Sequence, residues 1–179
     1  MMNQAKKLVT ASLFCGLCCV LTMAIAIPSP MNGYVHLGDS MVLLSGFLLS
    51  PLYGALAAGI GSMLADIFTG YSHYAAATFI IKALMALLAH FICRALIRTT
   101  KKTTFSLSCA AIVAEGVMVL GYFFYAALLM GRGLAAAASI PGNLIQAAFG
   151  AVSSVAFTLI IRKNKLLARE FDDITNGSM

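Results

Sequence analysis

Apolar residues run along this chain in long stretches, and the breaks between them are few. Pro28-Ser-Pro30, Ser50-Pro51, Thr69-Gly70, Lys101-Lys102 and Gly131-Arg132-Gly133 interrupt them. A helix needs ~18–20 apolar residues to cross a ~30 Å hydrocarbon core, and several of these runs reach that length. Six spans are predicted, near residues 8–27, 37–49, 52–68, 75–96, 105–130 and 135–161. The expected fold is therefore an all-α integral membrane protein, a six-transmembrane-helix bundle. The second and third spans are short enough to be tilted, partial or kinked. Shortened apolar segments beside polar residues often line a binding cavity in transporters. Pro51 suits the first turn of the third helix. One bundle uses the length of 179 residues and leaves no room for a soluble catalytic domain. Residues 1–7 and 162–179 are read as cytoplasmic ends around a membrane domain at 8–161, with the charged tail fraying.

Composition strengthens this reading. The chain is 61% hydrophobic and only 10% charged, against about 25% charged in soluble domains; its mean hydropathy is +0.94. The net charge of +6 has an uneven distribution. Ten of the twelve Lys/Arg fall in three clusters flanking apolar runs: Lys6-Lys7, then Arg94, Arg98, Lys101 and Lys102, then Arg162, Lys163, Lys165 and Arg169. Basic residues concentrate on the cytoplasmic side of membrane proteins, so both termini are placed inside a cell (plasma) membrane. Loops 28–36 and 69–74, which lack Lys and Arg, then face outward. A nucleic-acid surface is excluded, because no solvated face carries the charge. Lys6-Lys7, the first run and Ala24-Ile25-Ala26 also have the outline of a signal peptide. That run, at about 20 residues, exceeds the usual ~7–15 of a signal, so an uncleaved first span is expected. The five cysteines, including the C-x-x-C at Cys15 and Cys18, all lie in apolar segments and read as small packing residues.

Against this background the ionisable residues inside the runs stand out, since each is costly in a bilayer and marks a candidate site. Lys82 lies about 10 Å into the fourth span from outside, and Glu115 about 15 Å into the fifth from inside, at 1.5 Å per residue. The two levels are close enough for a pair, which buried charges usually require. Such a pair either fixes helix register or floors an outward cavity. Asp39 follows Gly38 at the start of the second span and can cap a helix start there. Asp66 ends the third span, where the helix dipole disfavours a negative charge, so it needs a partner such as Arg132, Lys82, His73 or a ligand cation. Tyr34, His36, Tyr71, His73 and Tyr74 gather in the two outer loops, as an aromatic belt or as the roof of a pocket. Asn143 and Gln146, three apart on one face of the last span, either bond between helices or reach a ligand.

Small residues recur every fourth position along two spans and make flat packing faces. They are Ser12/Gly16 and Ala11/Cys15/Cys19 on the first span, and Gly54/Ala58/Ser62 and Ala57/Gly61/Ala65 on the third. One such face suits internal packing, and a second suggests an outside partner. Two His with two Asp match no compact metal-ligand spacing, so no metal is assigned, and no cofactor is predicted. There is no nucleotide-binding G-x-x-x-x-G-K-[ST] and no H-E-x-x-H or G-x-S-x-G. Uphill movement would draw on another subunit or on an ion gradient. Two other readings remain open on the residues alone: a membrane enzyme using Asp39, Asp66 and His73, and a stand-alone proton-coupled carrier using Glu115 and Lys82.

The order YVHLGD, a short apolar span, a small-rich span ending LAD, then GY and ATFIIKALMALLA resembles the substrate-binding S components of energy-coupling factor (ECF) vitamin transporters. It is most similar to the riboflavin-type group, which includes members assigned to vitamin B6 or hydroxymethylpyrimidine. The likeness is specific over residues 34–88 and topological over 8–161. It implies a six-helix bundle that captures a vitamin from outside without catalysis and docks on a T subunit driven by two ATPase subunits. It also implies a T-subunit face on the first span. The family's A-x3-A pair reads here as Ala11 and Cys15, with Ser12 and Gly16 beside it. Tyr34, His36, Asp39, Asp66, Tyr71, His73, Tyr74, Lys82, Glu115, Asn143 and Gln146 are the candidate substrate-binding residues. Rings, amides and one or two charges suit a small polar heteroaromatic such as pyridoxine or hydroxymethylpyrimidine. Riboflavin stays open as a substrate, although it would need a larger cavity and there is no Trp to stack on it.

Overall fold

The computed structural model describes residues 4–24, 26–29 and 33–169. Six α-helices form the bundle: α1 (Gln4–Ala24), α2 (Asp39–Leu48), α3 (Pro51–Phe68), α4 (Ser72–Thr100), α5 (Thr103–Phe124) and α6 (Ile140–Lys163). Five helical segments are long and apolar enough to cross a membrane; the exception is α2. Ten residues give α2 a length of about 15 Å, half a hydrocarbon core. Every residue of α2 except Met41 is buried, and α1, α3, α4, α5 and α6 all pack against it. The short second span is thus an enclosed pillar with almost no surface for lipid. The lipid-facing surface lies elsewhere, as in the exposed Leu8, Val20, Ile112, Leu120, Ile145 and Val152.

Chain breaks in the sequence become structural stops. Pro51 enters the first turn of α3 behind an extended Ser50. Lys101 takes a left-handed conformation to end α4. The expected loop at 28–36 is instead a small antiparallel hairpin, β1 (Ala26–Ser29) on β2 (Gly33–His36), pairing Ile27 with Val35 and Pro28 with Tyr34. β-branched and aromatic residues favour that extended form, and a two-stranded ribbon has edges on which a proline costs no ladder bond. The last two spans also differ at their outer ends. α5 widens into a π-helical turn at Tyr125–Leu129, and a 3-10 segment at Gly133–Ser139 precedes α6. Gly131 and Gly133, both at positive φ, make the reversal between them.

Close helix approach depends on the small residues. A Cβ at Gly61 would sit 2.4 Å from the Cys15 carbonyl oxygen, so α1 lies directly on α3 there, with the fully buried Cys18 beside it. The C-x-x-C pair is thus packing surface against a glycine. A Cβ at Gly46 would meet the Ala86 carbonyl at 2.5 Å, which brings α2 equally close to α4. Both small-residue lines of α3, Gly54/Ala58/Ser62 and Ala57/Gly61/Ala65, are buried inside the bundle. The lines of α1 divide: Ala11 is buried and Cys15 half-buried, while Ser12 and Gly16 are exposed. α1 belongs to the bundle, with Phe14 and Cys18 in its core. The sequence Ala24-Ile25-Ala26 includes Ile25, and the tail includes 170–179, which lie outside the described residues.

Candidate functional site

Helical spacing on three helices aims polar side chains at α2. Tyr74, Thr78 and Lys82 recur every fourth residue of α4. Glu115 and Tyr122 lie two turns apart on α5, as do Gln146 and Ser153 on α6. Asp39 and Ser40 open α2, and because α2 is sunk within the bundle its first turn meets the middle of these helices.

Lys82, with no exposed surface, forms an ion pair with Asp39 Oδ1. Gln146 donates to the other oxygen, Oδ2, at 2.7 Å. The Gln146 amide oxygen in turn accepts the His36 backbone N–H at 3.0 Å, which ties the hairpin to α6. The Gly38 N–H donates to His36 Nδ1 at 3.1 Å. The hydroxyls of Ser40 and Ser153 make a second link from α2 to α6. Lys82 Nζ also stands 5.4 Å from the centre of the Tyr122 ring, within cation–π range, and Tyr122 is hydrogen-bonded to Thr78 at 3.1 Å. His36 lies in the hairpin, outside the spanning helices. Its burial lowers the imidazole pKa from 6.5 to about 4, an effect that the nearby Asp39 only partly offsets. The ring is therefore neutral at physiological pH.

Two expectations are corrected by this geometry. The partner of Lys82 is Asp39, not Glu115. Asp39 is also no capping residue: Gly38 holds the cap position with no side-chain cap bond, and the Asp39 carboxylate points away to Lys82 and Gln146. The physical reason is the insertion of α2, which carries Asp39 from an expected interface down to the level of Lys82. There an unpaired charge would be far costlier than an unsatisfied helix start. Glu115 lies alongside, buried against Asp39 and against Gly150 of α6.

A second cluster forms the outer rim. The rings of His73 and Tyr74 lie 4.7 Å apart, Tyr74 and Tyr125 5.3 Å, Tyr74 and Tyr122 6.2 Å, and Tyr71 and His73 6.2 Å. Tyr125 donates its hydroxyl to the His73 carbonyl, fastening the π-helical turn to the start of α4. Asp66 is buried at the end of α3. It and Arg132 both lie within electrostatic range of Tyr74. Tyr74 is buried, Tyr71 half-buried and His73 exposed. Asn143 is buried one turn from Gln146. Tyr34 lies on β2, and its side chain is outside the described part of the structure.

The structure thus gathers His36, Asp39, Lys82, Glu115 and Gln146 in one centre and Asp66, Tyr71, His73 and Tyr74 at one rim. The sequence reading missed Thr78, Tyr122, Tyr125, Ser40 and Ser153. Tyr122 and Thr78 were signalled by spacing, seven residues from Glu115 and four from Lys82. Nothing local marked Ser153, one small residue among many.

Among known proteins, residues 2–163 match the family model described as "ECF-type riboflavin transporter, S component". A relative from Pyrococcus woesei, known as "Uncharacterized protein in gap 3'region", is 34% identical over 145 residues, covering 80% of this chain and 93% of its own length. A solved structure described as "Structure and mechanism of the S component of a bacterial ECF transporter" is similar at TM-score 0.63 and 27% identity. The match covers 90% of this chain and 96% of that one.

Proposed function

We propose a function from one premise: this chain belongs to the ECF-type riboflavin transporter S component family. It is a substrate-specific membrane subunit that binds a vitamin-class molecule, and its family consists of transport subunits, not enzymes. We infer further that it captures a small polar heteroaromatic of the pyridoxine or hydroxymethylpyrimidine kind from outside. ATP-driven uptake then requires a T subunit and two ATPase subunits. The observation that carries this reading is the convergence of Asp39, Lys82, Gln146 and His36 on the enclosed helix α2, beneath a rim of tyrosines. Charges buried this deep in a membrane bundle are retained for function more readily than for stability. The rim offers stacking faces and the centre offers directional hydrogen bonds, the usual division of work in a small-molecule site.

The face for a T subunit is taken to be the α1 line of Ala11, Ser12, Cys15 and Gly16. Ser12 and Gly16 support it most directly. Both are exposed, and a side chain built at Gly16 would meet nothing within 4 Å, which leaves room for a close helix–helix approach. Native mass spectrometry of the purified protein tests the capture reading. A bound mass matching a B6 vitamer or a pyrimidine is expected, and a ligand-free protein that no vitamin stabilises would overturn it. Vesicles holding this chain alone should show no uptake, and T and ATPase subunits should restore it.

A further inference from the structure

Most charged and amide groups of the polar centre have named partners. Asp39 receives Lys82 on one oxygen and Gln146 on the other, and Gln146 receives the His36 N–H. Glu115 differs. Its residue is only 3% exposed, and neither carboxyl oxygen meets a hydrogen-bond donor among the described residues. The group it faces is another carboxyl, that of Asp39. Buried polar atoms are nearly always paired, and one left unpaired at such depth asks for an explanation.

Gly150 adds an independent observation. A Cβ there would stand 2.3 Å from Glu115 Oε1 and 2.9 Å from Asp39 Cβ. Any other residue at 150 would displace the carboxyl, so the α6 backbone is recessed at the one point where Glu115 needs room. Counting charges gives the same direction. Two carboxyls, Asp39 and Glu115, face one ammonium, Lys82, and the adjacent His36 is neutral. With Glu115 ionised, the centre is short of one donor or one positive charge, and the shortage is located at Glu115.

We infer that Glu115 is the recognition group for a protonated ring nitrogen or an amine of the substrate. The substrate class is then a small heteroaromatic with a basic ring nitrogen or an exocyclic amine. This inference rests on the capture reading above and narrows it. Lys82 does not meet the substrate's charge, because Asp39 holds it; its role is to position Asp39 and, through Gln146, the hairpin. An anionic substrate would add a third negative group to a centre already short of positive charge. A neutral flavin would bring an imide N–H but no positive charge.

Thermal stabilisation and calorimetric binding in detergent test this, using pyridoxamine, pyridoxine, thiamine, riboflavin and biotin as probes on the wild-type protein. The basic-nitrogen probes should supply the binders, and neutral riboflavin and anionic biotin should not bind. Glu115→Gln keeps the shape and removes the acceptor charge. It should weaken the best binder by about ten- to hundred-fold, the range for losing one charge-assisted hydrogen bond. Tight riboflavin or biotin binding, or an unchanged affinity in Glu115→Gln, would overturn the inference while leaving vitamin capture intact. If Glu115→Gln does not fold, the wild-type ranking of probes still decides. No stabilisation by any probe, together with no co-purifying vitamin mass, would overturn both readings.

Discussion

The centre around α2 and the rim at the outer end are built from the same kinds of residue, under opposite constraints. Each has an acid, a base and a tyrosine: Asp39, Lys82 and Tyr122 inside, Asp66, Arg132 and Tyr74 outside. In the centre the side chains are buried and most are held by specific partners, as where Asp39 takes Lys82 on one oxygen and Gln146 on the other. At the rim, tilted rings supply most of the structure, and a backbone carbonyl, not a charge, fixes Tyr125. The contrast teaches where specificity and where adaptability reside. A closed network in low dielectric tolerates little change, because each lost partner leaves a desolvated group behind. Aromatic contacts near the interface lose only modest energy when altered.

The largest effect expected from that contrast is at Lys82. Lys82→Met leaves the Asp39 carboxylate buried without its cation, which should cost about 3–5 kcal/mol of stability. A large drop in melting temperature of the purified protein would register it. Adding Asp39→Leu to Lys82→Met should recover much of the loss, because replacing a buried pair by apolar residues is often near neutral. If the double variant is as unstable as the single one, the centre is not a pair and the comparison breaks.

Next in size is a pH effect seated at His36. Its folded pKa of about 4 lies below the ordinary 6.5, so the fold holds the neutral ring. That contribution is complete above 6.5 and is lost as pH falls from 6.5 toward 4, where the unfolded chain binds a proton that the folded one resists. Melting temperature should decline across that window, and His36→Gln should flatten the decline. An identical slope in the variant would remove His36 from the centre's account. The smallest effect belongs to the rim. Tyr125→Phe deletes one hydrogen bond to the His73 carbonyl and should cost about 0.5–1.5 kcal/mol, with little change in the binding of any ligand. A loss approaching that of Lys82→Met would show the rim to be as tightly constrained as the centre.

Much of this was legible in the residues. Hydropathy located the six helices within a few residues, and Ser50-Pro51 marked its turn. Small residues at every fourth position on α3 foretold close packing. The α4 line of Tyr74, Thr78 and Lys82 was present in the spacing, although only its two ends were singled out. Less legible was the outer end of α5, where a π-helical turn and a 3-10 segment replace plain helix. Those forms answer to the packing of Tyr125 on α4, which no local propensity encodes. The pairing of β1 with β2 was hidden in the same way. The extended form of the hairpin is fixed partly by the bond from its His36 N–H to Gln146, 110 residues away.

By itself the sequence determined the solvent of this protein, the number of helices and the depth of Lys82 and Glu115. Hydropathy and rise per residue act along one dimension, and both are local. Only the tertiary structure decided which charges meet. Depth placed Lys82 level with Glu115 but said nothing of rotation about the helix axes, or of a short α2 lowered into the bundle. That insertion delivers Asp39 to Lys82 and leaves Glu115 facing Gly150 without a donor among the described residues. Pair formation depends on distances of a few ångströms between segments far apart in the chain, and those distances exist only once the helices have packed.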